Sequence, residues 1–562
     1  MSYTLGRKTY KPTLNEALFM SDLKRSYKII IALLLGYSMA AAFFSLRLKS
    51  ATSDEPIYLY ARSEILTRFH WEGLDRDEIP LANSKDFSER RYFYKKYATL
   101  LQPPLSYYLQ YILSPLQSLL RSPDPIYTSR VVMLVLIPLL GLGIFSWSRQ
   151  LYGNAAGILS LVLFCFCPNM LAHARLITMD FILTVFFFFS VYALWKLYRS
   201  PEYKNIVYAG TFLGLASLSK YTGLMLLPIF VVIFLSIFLL EPGYAFSAYL
   251  PKSIRNRRIS NLINGTITIL ILFGIALLLV NMAYGFQGFF AVKKDPFLSG
   301  SLQHLVLSSP IGQAALFVLP KPYVDGINLQ MVMSQQGFHA FLMGEHSTTG
   351  WWYYFIVAFL IKTPIATMAL GLLALYTWIK GPEERFKEAL FLMFPALFLF
   401  VYFSFFNKIN IGLRYVLPVY PFLFVFIGRV FKEYKEAPVI RRGFVGLMMA
   451  WYVLASWMIH PHYLAYFNEF IGGPKNGYRY LIDSNLDWGQ DKYLIDAYIQ
   501  RSPLPVTMLT GDFPGPARGL VAINVNTLQG IAGQTGDAFR WLDPYKPVDY
   551  VGYTWLIYDI PW

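Results

Sequence analysis

Residues 27–61 read "YKIIIALLLGYSMAAAFFSLRLKSATSDEPIYLYA". From Ile29 to Leu48 the stretch is predominantly apolar and long enough to cross a bilayer, for which ~20 residues suffice. Two carboxylates, Asp54 and Glu55, follow directly. Thr52 and Glu55 fit a helix-capping box, and Pro56 is tolerated in a first helical turn. Taken alone, the two acids need do no more than start a helix at the membrane surface. Their further role depends on what the rest of the chain brings to the same face.

Apolar runs recur throughout the 562 residues, of which 56% are hydrophobic and 18% aromatic. The sequence predicts an α-helical polytopic membrane protein with about eleven spans of the required length. They fall at 28–47, 127–147, 154–171, 176–197, 204–219, 221–240, 262–283, 352–379, 388–406, 411–431 and 443–460. The first reads as a retained span, because its charged lead-in is long and no convincing cleavage site precedes the acids. No internal repeat and no low-complexity linker interrupts the pattern.

A net charge of +16 invites a nucleic-acid reading, but the placement of the cations excludes it. With a cytoplasmic N-terminus, the inner segments hold Lys24, Arg25 and Lys28, then Arg149, then Lys196, Arg199 and Lys204. They continue with Lys252, Arg255, Arg257 and Arg258, then Lys380, Arg385 and Lys387, and finally Arg429, Lys432, Lys435, Arg441 and Arg442. The short opposite loops carry only Arg175, Lys220, Lys408 and Arg414. This is the positive-inside pattern, so the basic excess encodes topology. Cys165 and Cys167, two apart within one span, point to different faces and cannot bridge.

The topology divides the chain into a transmembrane domain, 1–460, and an extracytoplasmic tail, 461–562. Two larger loops, 49–126 and 284–351, share the tail's side. The first loop holds the acid-led helix and "LLQPPLSYYLQYIL" at 100–113, which reads as an interfacial helix. The tail combines a helix-like stretch, 488–500, with strand-like "GLVAINV" and "VDYVGYTWLIY", as a small α/β domain does. Asp180 near the start of the fourth span, Lys220 in the turn "SLSKYTG" and Arg414 in "NKINIGLRYVLP" all fall on the outer face. Ionisable groups at membrane depth are costly and mark function by default, although Lys220 and Arg414 alone would also suit lipid headgroups. Carboxylates and cations together at one face suit an anionic lipid phosphate and an attacking hydroxyl.

These stretches resemble the membrane glycosyltransferases of the C-type fold, family 39, a group that includes protein O-mannosyltransferases and the lipid A aminoarabinose transferase. "SDEPIYLYA" resembles their acid-bearing helix, "PPLSYYL" their Pro-Pro-Leu motif, and "YTSRVVMLVLIPLLGLGIFSWSRQLYG" the Arg-led span that follows. "HARLITMDFILTVF" is similar to the span with the second acid, and "LASLSKYTGLMLLP" to the turn with a lysine. "MGEHSTTGWWYYFIVAFLIKTP", "NIGLRYVLPVYPFLF" and "YFNEFIGGPKNGYRYLIDSNLDWGQD" resemble a bacterial branch of the group. The resemblance implies a sugar donor linked to polyprenyl phosphate and a lipid, glycan or protein acceptor, at the outer face of a bacterial-type inner membrane. It implies Asp54, Glu55 and Asp180 as catalytic residues, with Gln102, Arg175, Lys220, Glu345, His346 and Arg414 binding substrate. Gln102 stands where some relatives carry a phosphate-contacting lysine, so another cation has to supply that charge.

Three other signals carry less. His339, Glu345 and His346 match no metal-binding spacing, and no cofactor is expected, although a divalent metal is compatible with the residue types. Asp483, Asn485, Asp487 and Asp491 lack the spacing of a calcium loop and read as turn and cap residues. Lys362, deep in the eighth span before Pro364, marks either a kink or a cavity. A transporter or flippase of lipid-linked sugars is the rival class, but such proteins place polar sites near the midplane rather than at one interface.

Overall fold

The computed structural model describes residues 23–561 except 72, 76–77, 79–80, 83–86, 114, 116–121, 123, 242–243, 245–256, 289–317, 382–384, 433–436, 512–515 and 532–537. Lys252 and Arg255 of the inner loop, and residues 289–317 of the 284–351 loop, therefore lie outside the described residues. Among the described residues, six helices are long and apolar enough to cross a membrane. They are Arg25–Arg47, Pro125–Tyr152, Met179–Arg199, Tyr221–Leu240, Arg258–Ala283 and Val439–Ile459. Two bent pairs and the shorter apolar helices Ala389–Phe405 and Val419–Phe431 join them. The chain is a multi-pass membrane protein.

The most buried of these helices is Met179–Arg199, with Phe181, Phe186, Phe187, Phe188 and Phe189 all inside the core. An apolar membrane helix can face lipid or its neighbours, and this one is enclosed by its neighbours. Trp147 stacks on Tyr192 at 5.0 Å between ring centroids, which binds the Pro125–Tyr152 helix to it.

The segment expected as one span over 352–379 is instead two helices, Tyr354–Lys362 and Ile365–Lys380, meeting at 107°. Pro364 has no N–H to donate to the carbonyl four residues earlier. Asn468 takes that place, its Nδ2 donating to Leu360 O at 2.6 Å and to Thr363 O at 2.8 Å. Lys362 fills the bend, donating to Leu464 O at 2.8 Å and to Asn485 O. A sharp break inside a membrane survives only where protein groups satisfy the freed backbone, and both donors come from or reach into the tail.

After the last long helix, residues 463–485 fold as successive short 3-10 turns laid on the helical body. A four-stranded sheet follows. Val506–Leu509 runs parallel to Gly519–Asn524, which pairs antiparallel with Trp555–Ile560, and Asp549–Val551 closes the far edge. The helix Lys492–Arg501 covers one face through Ile495, packed with Ala522, Val551 and Ile557.

Candidate active site

Asp54 immediately precedes the helix Glu55–Arg68, yet its side chain caps nothing there. Its Oδ2 instead lies 3.2 Å from Arg414 Nη1, with the Tyr58 hydroxyl at 3.5 Å. The Asp54 side chain is 31% exposed. Asp180 stands in the first turn of its helix, where the dipole favours a negative charge. It accepts from Lys220 Nζ at 2.7 Å and lies 3.7 Å from the same Arg414 Nη1. Acid and base therefore alternate through Asp54, Arg414, Asp180 and Lys220, and only Asp54 reaches substantially toward solvent.

Local breaks in the helices place the two cations. The helix Tyr203–Ser219 stops before an extended Lys220, and a 3-10 turn, Tyr221–Met225, reverses the chain. The turn closes so tightly that a Cβ on Gly223 would stand 2.2 Å from Ala216 O. Arg414 lies in the 3-10 turn Leu413–Val416, just after Gly412, where a Cβ would meet Ser484 Oγ at 2.3 Å. The Arg414 guanidinium lies 4.1 Å over the Trp488 ring, and Lys220 Nζ lies 4.5 Å over Tyr415. Arg414 Nε is buried without a hydrogen-bond partner.

Glu55 belongs to a second cluster. Its carboxylate is fully buried and accepts from Arg130 Nε at 2.8 Å, Arg130 Nη2, Thr52 N at 2.8 Å and Ile177 N at 3.2 Å. Half of the expected capping box is present, since Glu55 takes the Thr52 N–H while Thr52 Oγ1 has no partner. Arg175 sits beside this cluster, donating to Ser45 Oγ and to Ser45 O at 3.2 Å. Lys49 pairs with Asp491 and meets His462 Nδ1 at 2.7 Å. Burial brings the Lys49 amine down to about 8, with Asp491 opposing the shift, and lowers the His462 imidazole to about 4.

The remaining candidates lie apart from the acid–base alternation. Gln102 is buried just before Pro103 and Pro104, its Oε1 without a hydrogen-bond partner. Glu345 and His346 lie on the exposed strand of a hairpin, and His346 stacks on His339 at 4.9 Å. Among the described residues no three His, Cys, Asp or Glu side chains gather as metal ligands do.

Sequence reasoning gave no role to Arg130 or Trp488, and read Asp483 only as a turn or cap residue. Asp483 is held at φ 55°, a left-handed conformation rare outside glycine, and its N–H donates to Asn526 Oδ1 at 2.9 Å. Burial raises its carboxyl to about 6, against the opposing pull of Arg414. The folded chain then holds this proton more tightly than the unfolded chain, so Asp483 favours folding increasingly as pH falls from about 6 toward 4. Wild type should therefore gain more melting temperature between pH 7 and pH 5 than Asp483→Asn does. Equal gains in thermal melts of the two proteins would contradict this assignment.

Residues 101–244 match the family model described as dolichyl-phosphate-mannose-protein mannosyltransferase. The resemblance to family-39 glycosyltransferases holds over that stretch, which contains both Asp180 and Lys220. No curated protein matches the chain. Among solved structures, the chain is similar to ArnT from Cupriavidus metallidurans bound to undecaprenyl phosphate. Identity is 12% and the TM-score 0.45, over 94% of this chain and 97% of that one. It is similar to the Archaeoglobus fulgidus oligosaccharyltransferase in the apo form at 14% identity and TM-score 0.48, over 92% and 65% of the two chains. It is also similar to the S. cerevisiae protein O-mannosyltransferase Pmt1-Pmt2 complex bound to the sugar donor, at 16% identity and TM-score 0.34, over 49% and 36%. The match thus spans little more than a third of the yeast chain and just under two thirds of the archaeal one.

Proposed function

We propose that this chain is a glycosyltransferase that moves a sugar from a polyprenyl-phosphate donor to an acceptor hydroxyl of a lipid, glycan or protein. It works at the outer face of a bacterial-type inner membrane, with its N-terminus cytoplasmic and its tail outside. The alternation of Asp54, Arg414, Asp180 and Lys220 carries this reading. The family-model match over 101–244 supports it.

In this reading Lys220 and Arg414 hold the donor phosphate as charge-assisted hydrogen-bond donors. Asp180, buried between them, keeps both cations in place while the site is empty. The acceptor oxygen attacks the anomeric carbon as the bond from that carbon to the phosphate oxygen breaks. The electron pair leaves with polyprenyl phosphate, whose charge the two cations stabilise. The acceptor proton passes to Asp54, the one acid of the four-residue chain that is open to an incoming substrate. The broken span does not favour a transporter, because Lys362 there is already bound by two carbonyls.

The test is transfer itself. Membranes from cells overproducing the chain, given polyprenyl-phosphate [3H]mannose, should move label from the lipid donor into a new glycoconjugate. Label that crosses the membrane still attached to its lipid would establish the transporter instead. Phosphate binding is tested separately with undecaprenyl phosphate and purified protein. Lys220→Ala should weaken it about tenfold and Gln102→Ala by less, since a charge-assisted bond is roughly twice as strong as a neutral one. Arg175→Ala should lower stability instead, its guanidinium being fixed on Ser45. Equal losses of binding in Lys220→Ala and Gln102→Ala would refute the assignment of the phosphate to Lys220.

A further inference from the structure

We infer that Trp488, supplied by the tail, is the positioning residue that holds the Arg414 guanidinium between Asp54 and Asp180. The tail thereby forms part of the site. This rests on the reading of Arg414 as a phosphate-binding group.

Arg414 meets its two acids at 3.2 and 3.7 Å through a single nitrogen, Nη1, and its Nε has no partner. Two contacts at one nitrogen leave the plane of a guanidinium undefined. The Trp488 ring, 4% exposed and 4.1 Å from the guanidinium carbon, covers one face of the guanidinium and draws it there by the attraction of a cation to an aromatic face. Trp488 is itself fixed from both sides. Its N–H donates to Gln490 Oε1 at 2.7 Å, and its carbonyl accepts from Ser53 N at 2.9 Å. Ser50 N donates to Gln490 O at 2.9 Å, so residues 488–490 lie along the strand of chain that runs into Asp54. On the other side, Ser484 Oγ donates to Ile411 O at 2.7 Å and Asn485 Oδ1 accepts from Leu413 N at 2.8 Å. One tail loop therefore grips the segment before Asp54 and the turn carrying Arg414, with Trp488 between them.

The experiment is a double-mutant cycle on purified full-length protein, with undecaprenyl phosphate as the probe and native mass spectrometry as the measure of binding. Trp488→Leu should weaken binding about tenfold, and Trp488→Phe, which keeps a smaller flat face, about two- to threefold. Neither change should add to the loss in Arg414→Ala, because two residues acting through one contact are not additive. Trp488→Phe tests the same coupling if Trp488→Leu fails to elute as a single species. Wild-type binding by Trp488→Leu, or full additivity with Arg414→Ala, overturns the positioning role and leaves the proposed function standing. Wild-type binding by Arg414→Ala removes the phosphate from Arg414, and both readings then fall together.

Discussion

Asp54→Asn is expected to slow sugar transfer by about 10²–10⁴-fold, the usual loss when a general base is removed. The replacement keeps the shape of the side chain and takes away only its basicity. Little else should change. Asp54 makes no capping bond to its helix, and 31% of its side chain is already open. Arg414 retains Asp180 and the Trp488 ring after the substitution, so no buried cation is left alone. Undecaprenyl phosphate binding should therefore stay near the wild-type value while label transfer from polyprenyl-phosphate [3H]mannose collapses. Asp180→Asn should separate the two acids, because it strips Lys220 of the carboxylate 2.7 Å away and weakens phosphate binding as well. Transfer by Asp54→Asn at close to the wild-type rate would return Asp54 to a residue at the start of a helix.

The convergence of Asp54, Asp180, Lys220 and Arg414 was legible in the sequence because charge alternation assigns the sides of a membrane, and the ends of apolar runs give depth. In the tail, the helix-like stretch 488–500 contains most of the helix Lys492–Arg501, and "GLVAINV" covers the strand Gly519–Asn524, but "VDYVGYTWLIY", read as one strand-like run, folds as two strands, Asp549–Val551 and Trp555–Ile560, paired across a turn. Arg130 carried a signal that went unused. It is a cation inside the second apolar run near its outer end, against the topological trend, and such a group needs a buried partner. Trp488 carried no such signal. Its importance lies in a contact with Arg414, far along the chain, and a tryptophan at a membrane surface otherwise fits the interfacial aromatic belt. The 107° bend was half legible. Pro364 announces a kink, but the angle depends on Asn468 and Lys362 finding the freed backbone and the tail's carbonyls.

Glu55 is where adjacent residues part company. Successive side chains on a helix point about 100° apart, so Asp54 can face the open site while Glu55 faces the core. Its carboxylate gathers Arg130, Thr52 N and Ile177 N, and Arg130 in turn holds Lys49 O at 3.0 Å and Ser50 O at 2.9 Å. One buried anion thus fixes the segment that ends at Asp54 and the turn that leads into Asp180. Glu55→Ala leaves Arg130, only 2% exposed, as an unpaired buried charge, at a cost of about 3–5 kcal/mol. The expected result is a large fall in melting temperature and in recovered folded protein. Glu55→Leu with Arg130→Met removes both charges and should recover much of that loss, since a buried pair replaced by apolar groups is often nearly neutral. Glu55→Gln discriminates between the roles. A catalytic Glu55 would give a stable protein with almost no transfer. A structural Glu55 gives a less stable protein whose folded fraction still transfers within about tenfold of wild type, below the loss expected for a general base. Melting curves and label transfer, measured on the same preparation of Glu55→Gln, decide between them.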